Sequence, residues 1–111
     1  MKLITGGIVF TLVFVLTFVA ALAAGDAVRG KALFDDQKFA GGSTSCNECH
    51  PNGRDLEESV SKKSMIIFGK EVKSLEAAVN YCIVNACRGK AIDIQSQEMQ
   101  DIVAYIKSIQ K

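Results

Sequence analysis

The sequence is short of several things, and each shortage narrows what it does. It has one histidine, His50, so a single imidazole must serve any site that needs one. Its formal net charge is only +1, and without Lys2 twelve basic side chains match the twelve acidic ones. A nucleic-acid partner needs a basic face, which this balance does not supply, so none is expected. The apolar run at residues 8–23 is shorter than the roughly 20 residues a bilayer span requires. No cysteine stands at the small-residue stretch that follows it, which argues against a lipid anchor there.

Lys2, the apolar run, and Ala21-Leu22-Ala23 followed by Ala24 make the pattern of a secretory signal peptide. The expectation is a cleaved leader over 1–24, one domain over 25–111, periplasmic location and no stable membrane anchor. A domain this small buries a limited core and needs a staple: a disulfide, a metal or a cofactor. All four cysteines, at 46, 49, 82 and 87, lie in the exported part, where disulfides persist. Two bridges would account for the cysteines and leave His50 without a role.

The stretch "CNECH", residues 46–50, gives His50 one. C-x-x-C-H reads as a c-type haem attachment site. Two intervening residues let one turn of backbone bring Cys46 and Cys49 to the two vinyl groups on one edge of the ring, each forming a thioether. The next residue then lies under the macrocycle, where the imidazole of His50 binds iron. A thioredoxin-like C-x-x-C wants a βαβ setting, and none is visible. A zinc site wants a second Cys/His pair at suitable spacing, and Cys82 with Cys87 is a poor one.

Around the motif the pattern is helical. Asp26 precedes AVRGKALFD and predicts a short N-terminal helix. DQKFAGGSTS reads as a loop, PNGRDLEESVSKKS as polar surface broken by Pro51 and Gly53, and MIIFGK as an apolar run too short to classify. Ser74 is placed to cap SLEAAVNYCIVNA, in which Leu75, Ala78, Val79, Cys82, Ile83 and Ala86 share one face. RGKAIDIQ breaks the pattern. Ser96 is placed to cap a last helix with Met99, Ile102, Val103, Ile106 and Ile109 on its apolar face. The reading is a small all-α domain whose thin shell needs a central apolar filler, which a haem supplies.

The pieces GDAVRGKALF, CNECHP and EMQDIVAYIKSI together resemble the class I c-type cytochromes, over the whole of 25–111. The resemblance implies a small all-α fold wrapped around one covalent haem c. It implies terminal helices that cross with Gly30, Phe34 and Tyr105 at the contact. It also implies a carrier of single electrons between transient redox partners, rather than an enzyme. The chain departs from the family in lacking a methionine between Met65 and Met99, where the sixth ligand is usual. Four candidates remain: Cys82, Cys87, Met65 and Met99. The segment VNYCIVNACRGKAIDIQSQEMQDIVAYI is similar to part of thiosulfate dehydrogenase and of the sulfur-oxidation cytochromes, in which a cysteine is the second axial ligand. That similarity ranks Cys82 first, beside His50. A Cys82–Cys87 disulfide is the structural alternative. Five residues of unbroken helix rise about 7.5 Å, beyond the roughly 7 Å limit for a bridge, so it requires the helix to end between them, as Gly89 permits.

Two other functions stand beside the carrier. One is a haem subunit or enzyme of thiosulfate or tetrathionate chemistry, motivated by the cysteine ligand. The other is a sensor that loses a weak ligand and binds a diatomic gas. Lys62, Lys63, Lys70 and Lys73, with Glu71 among them, either steer an acidic partner or form an ordinary solvated loop.

Overall fold

The computed structural model describes residues 25–111. The expected leader, residues 1–24, lies outside them. The order of elements is α1 (Ala27–Asp35), the single turn α2 (Cys46–Cys49), a hairpin of β1 (Met65–Ile67) and β2 (Lys70–Val72), then α3 (Leu75–Asn85) and α4 (Gln97–Ser108). Short 3-10 turns fill Phe39–Gly41, Pro51–Gly53 and Ser59–Ser61. Among the described residues no helix is long and apolar enough to cross a membrane.

The hairpin corrects the all-α expectation: the fold is mixed. β1 and β2 are antiparallel, with Met65 opposite Val72, Ile66 opposite Glu71 and Ile67 opposite Lys70. The turn residues Phe68 and Gly69 both have positive φ, 50° and 79°, the pattern of the tight hairpin turn that matches strand twist. Met65 and Ile67 turn inward while Ile66 is exposed, a period of two. Three residues are too few for that period to be told from a helical one.

The three long helices start where their caps predict. The Asp26 carboxylate accepts from Val28 N and Arg29 N, the Ser74 hydroxyl from Ala77 N, and the Ser96 hydroxyl from Met99 N. Each cap satisfies a donor that the first turn leaves without a partner.

α1 crosses α4 at very short range. A Cβ on Gly30 would stand 1.9 Å from the carbonyl oxygen of Asp101, so only glycine fits. One turn on, Phe34 meets Tyr105 edge-on, with ring centroids 5.0 Å apart and planes at 60°, a favoured aromatic geometry. Asp101 is a buried carboxylate, 3% exposed. It accepts from the Asp26 backbone N–H at 2.8 Å, Arg29 Nε at 3.0 Å and Gln97 Nε2 at 2.7 Å. The hydrogen bond from Arg29, then those from Asp26 and Gln97, outweigh burial and hold its carboxyl down at about 2.

Val79 and Ile83 of α3 pack on Met99, Ile102, Val103 and Ile106 of α4 as the main core. Burying each such side chain stabilises by about 1.5–3 kcal/mol. The connector after α3 is pinned back by Asn80, whose amide donates to Ile92 O and accepts from Ile92 N, both at 2.8 Å. The end of α4 is stitched to the segment after the C-x-x-C-H motif: Gln110 Nε2 donates to Leu56 O at 2.7 Å, and Val60 N donates to Gln110 Oε1 at 3.1 Å.

Candidate functional site

Two hydrogen bonds prepare the ground for α2. Ser43 N donates to Cys87 O and Lys90 N to Ala40 O, both at 2.9 Å. They lay the chain after α3 along the loop that leads into the motif. The buried hydroxyl of Ser45 then caps α2 by accepting from Glu48 N at 3.2 Å. In the single turn that follows, Cys46 is half-buried and Cys49 exposed.

His50 ends the turn, its N–H donating to Cys46 O at 2.9 Å. Pro51-Asn52-Gly53 then reverses the chain. Asn52 takes φ of 53° and its N–H donates to Asn47 Oδ1 at 2.8 Å. Gly53 takes φ of 79°, a left-handed backbone that favours glycine, and it lies close to the tip of the Ile109 side chain. The reversal brings the carbonyl of Arg54 to 2.9 Å from His50 Nδ1. A carbonyl only accepts, so in the neutral ring Nδ1 carries the proton and Nε2 keeps a lone pair. Metal-ligating histidines are held in this way by an outer partner that fixes tautomer and ring orientation.

Cys46 and His50 form one end of an apolar cleft of about 80 Å3. Leu75, Ala78, Val79 and Cys82 of α3 line one wall, and Ile102 and Ile106 of α4 line the floor with Phe34. Met65 and Ile67 of the hairpin, with Leu56 and Ser59, complete it. A second recess of about 130 Å3 shares Cys46, His50, Ile67 and Cys82 with the first and adds Cys49, Phe68, Ala86 and Cys87. The four cysteines and the histidine, up to 41 residues apart in sequence, all line this second recess.

The four candidates for a second iron ligand separate. Cys82 and Met65 line the cleft. Cys87 is buried in the adjoining recess beside Cys46. Met99 is 1% exposed in the α3–α4 core and does not line the cleft. α3 does end between Cys82 and Cys87, with Ala86 as its C-cap, but both thiols are free. Burial is the first cause that raises Cys46, to about 12, with a further contribution from its contact with Cys87. Burial also raises Cys82 and Cys87. At neutral pH these three thiols are protonated.

No three or more His, Cys, Asp or Glu side chains converge as a metal-holding group among the described residues. A zinc site would want such a group. The sheet is an antiparallel hairpin, not the βαβ unit of a thioredoxin-like motif. Sequence reasoning missed Arg54, which acts through its backbone carbonyl and so carries no side-chain signal. It also missed Leu56 and Ser59 as cleft walls, since they reach the site only through the stitch to Gln110. The hairpin carried a signal in Gly69, directly after the apolar run MIIF. Compared with known protein families and with curated proteins, the chain matches none.

Proposed function

We propose that this chain is a periplasmic monohaem c-type cytochrome, similar to the class I cytochromes, that carries single electrons between redox partners. One observation carries the reading. The only imidazole of the chain is fixed with Nδ1 on the Arg54 carbonyl, beside two thiols in one helical turn, at the end of an apolar cleft. The residues fit a covalent haem. Cys46 and Cys49 would hold it through thioethers, and His50 Nε2 is the free nitrogen for iron. A single imidazole suits a metal whose other donors come mainly from its own macrocycle. When bound, haem supplies one-electron chemistry between ferric and ferrous iron.

The chain's own residues do the rest. The Arg54 carbonyl orients the ring and makes it a better donor. Leu75, Val79, Ile102 and Ile106 exclude water from the cleft, which lowers the local dielectric and tunes the potential. Cys82 would be the second ligand: it lines the cleft, as Met65 also does, and the similarity to the sulfur-oxidation cytochromes favours the cysteine, whereas Met99 is committed to the core. Burial keeps the Cys82 thiol protonated, and as a ligand it would have to give up that proton. Ile66 and Phe68, 69% and 72% exposed, and the exposed Lys62, Lys63, Lys70 and Lys73 suit brief docking of a redox protein. The deciding test is a haem stain on a denaturing gel of the purified protein. Stain should persist after acid acetone extraction; its release into the solvent would end the reading.

The second reading is a haem subunit or enzyme acting on thiosulfate or tetrathionate. The Cys82 thiol in the cleft wall is the observation that favours it. Electron release from thiosulfate to an acceptor dye, abolished by Cys82→Ala, would move this reading to first place.

A further inference from the structure

Charge is not spread evenly over residues 25–111. The hairpin and its approaches, residues 62–73, carry four lysines and one acid, while the rest carries eight basic and eleven acidic side chains. A formally neutral domain is thus a basic hairpin on an acidic body. Lys62, Lys63, Lys70 and Lys73 are all exposed. Among the described residues the ion pairs take their cations only from Arg29 and Lys31, both on α1. Lys70 is held instead over the Tyr81 ring, its Nζ 5.2 Å from the centroid, a contact that positions the charge without neutralising it. The same hairpin displays apolar side chains. Ile66 and Phe68 are mostly exposed, and a Cβ on Gly69 would meet nothing within 4 Å, so the turn stands in open space. Phe68 lies beside Tyr81, with ring centroids 6.4 Å apart. Val84, also exposed, follows Tyr81 by three residues on one face of α3. Apolar surface therefore runs from the turn onto α3, with Lys70 at its edge. Phe68 also lines the recess that holds Cys49 and His50. One side chain thus borders both solvent and the site.

We propose that the hairpin is the docking element of this chain, and that its partner is a redox protein presenting an apolar hollow inside an acidic rim. This rests on the carrier reading and adds where the partner sits and what chemistry it presents. The lysines draw such a partner to the hairpin, while the acidic body repels it elsewhere. Ile66 and Phe68 then supply the water-excluding centre, an aromatic anchor within a charged rim. A turn that stands in open space fits a hollow better than a flat face. Glu71, opposite Ile66, is the one acid on the hairpin and opposes the attraction. A partner seated there is separated from the recess by Phe68.

The isotope-labelled protein, as purified from the cell, is titrated with oxidised flavodoxin, an acidic redox protein, at about 0.01 M salt, and its amide shifts are followed by NMR. Shifts should cluster at residues 66–70, Tyr81 and Val84 and leave α1 unmoved. Binding should weaken by about tenfold or more at about 0.15 M salt, where screening is much stronger. Phe68→Ser should weaken it by about tenfold, and Lys70→Glu with Lys73→Glu by about tenfold or more. Ile66→Ser, which leaves Phe68 on Tyr81, should weaken it in the same direction, and Glu71→Gln should tighten it. Lys107→Glu, exposed near the end of α4, should change it by less than about twofold. The proposal is overturned if flavodoxin does not bind, if the shifts fall on another face, or if Phe68→Ser and Ile66→Ser both bind like wild type. Vesicles of equal parts phosphatidylglycerol and phosphatidylcholine should not retain the protein at the same low salt. Retention that is lost in Phe68→Ser would give the hairpin to a lipid surface and overturn the proposal as well. A chain that never acquires haem in the cell would refute the proposed function, and the shift map would still decide whether the hairpin takes an acidic protein.

Discussion

The molecule has two faces built on opposite rules. Where α1 crosses α4, side chains have been removed until backbones touch: Gly30 lies on the Asp101 carbonyl, Phe34 on Tyr105, and a buried carboxylate gathers three donors. Around α2, the hairpin and the near edge of α3, the side chains stop short of one another. Leu75, Cys82, Met65 and Ile67 are only half-buried, and they line a cleft rather than fill it. The first face closes on itself through local fit. The second keeps thiols and an imidazole on an apolar wall, an arrangement costly in stability unless something uses it. The contrast says which face is scaffold and which is site.

The largest effect should come from breaking the scaffold. Gly30→Val forces a side chain into the Asp101 backbone, and no rotamer relieves a clash at Cβ. Destabilisation of about 4 kcal/mol or more is expected, read as loss of the cooperative thermal transition by circular dichroism. A melting temperature within a few degrees of wild type would mean that the helices do not cross this closely.

Breaking the site instead should leave the scaffold standing. Cys46→Ala with Cys49→Ala should abolish haem staining. Hydrogen exchange should then quicken in α2 and the hairpin while amides of Ile102–Ile106 keep their protection. If α4 loses protection to the same extent, the two faces are one cooperative unit and the comparison fails. His50→Ala should retain the covalent stain but lose the low-spin spectrum, because no second imidazole exists to replace it.

A smaller effect sharpens the ligand assignment. If Cys82 is the second ligand as proposed, Cys82→Met exchanges a thiolate donor for a thioether and should raise the reduction potential by on the order of 0.1 V or more. Met99→Leu should shift the melting temperature and leave the potential alone. The reverse pattern would move the iron ligand to Met99 and Cys82 to plain packing.

The smallest effect concerns Asp101. Its carboxyl is held at about 2, below the ordinary 3.8, first by the hydrogen bond from Arg29. A depressed carboxylate contributes stability that is complete above 3.8 and is lost as pH falls toward 2. Asp101→Asn should therefore lower the melting temperature at neutral pH, with the gap to wild type closing as pH is lowered through that window. A gap that does not change between pH 5 and pH 2 would show that the charge contributes nothing.

Much of this architecture is legible without coordinates. Asp26, Ser74 and Ser96 mark three helix starts, because a capping oxygen and the apolar spacing behind it are local signals. The hairpin was not legible. Met65-Ile66-Ile67 is too short to display a period, and a strand exists only when its partner is found. Asp101 is likewise silent in sequence: one acid among twelve, it becomes a buried anchor only when α1 arrives.

The sequence by itself determined the chemistry in reserve: two thiols and the only imidazole within five residues, and amphipathic helices to shelter them. Covalent spacing and helical period are properties of a short stretch of chain, so they survive being read one residue at a time. The tertiary structure alone decided which groups meet. It set the Arg54 carbonyl on His50, sent Met99 to the core and Cys82 to the cleft, and brought Cys87 to the recess that Cys46 lines. Those contacts join residues as far as 41 positions apart, and they arise from packing and backbone hydrogen bonds between elements, which no local pattern records.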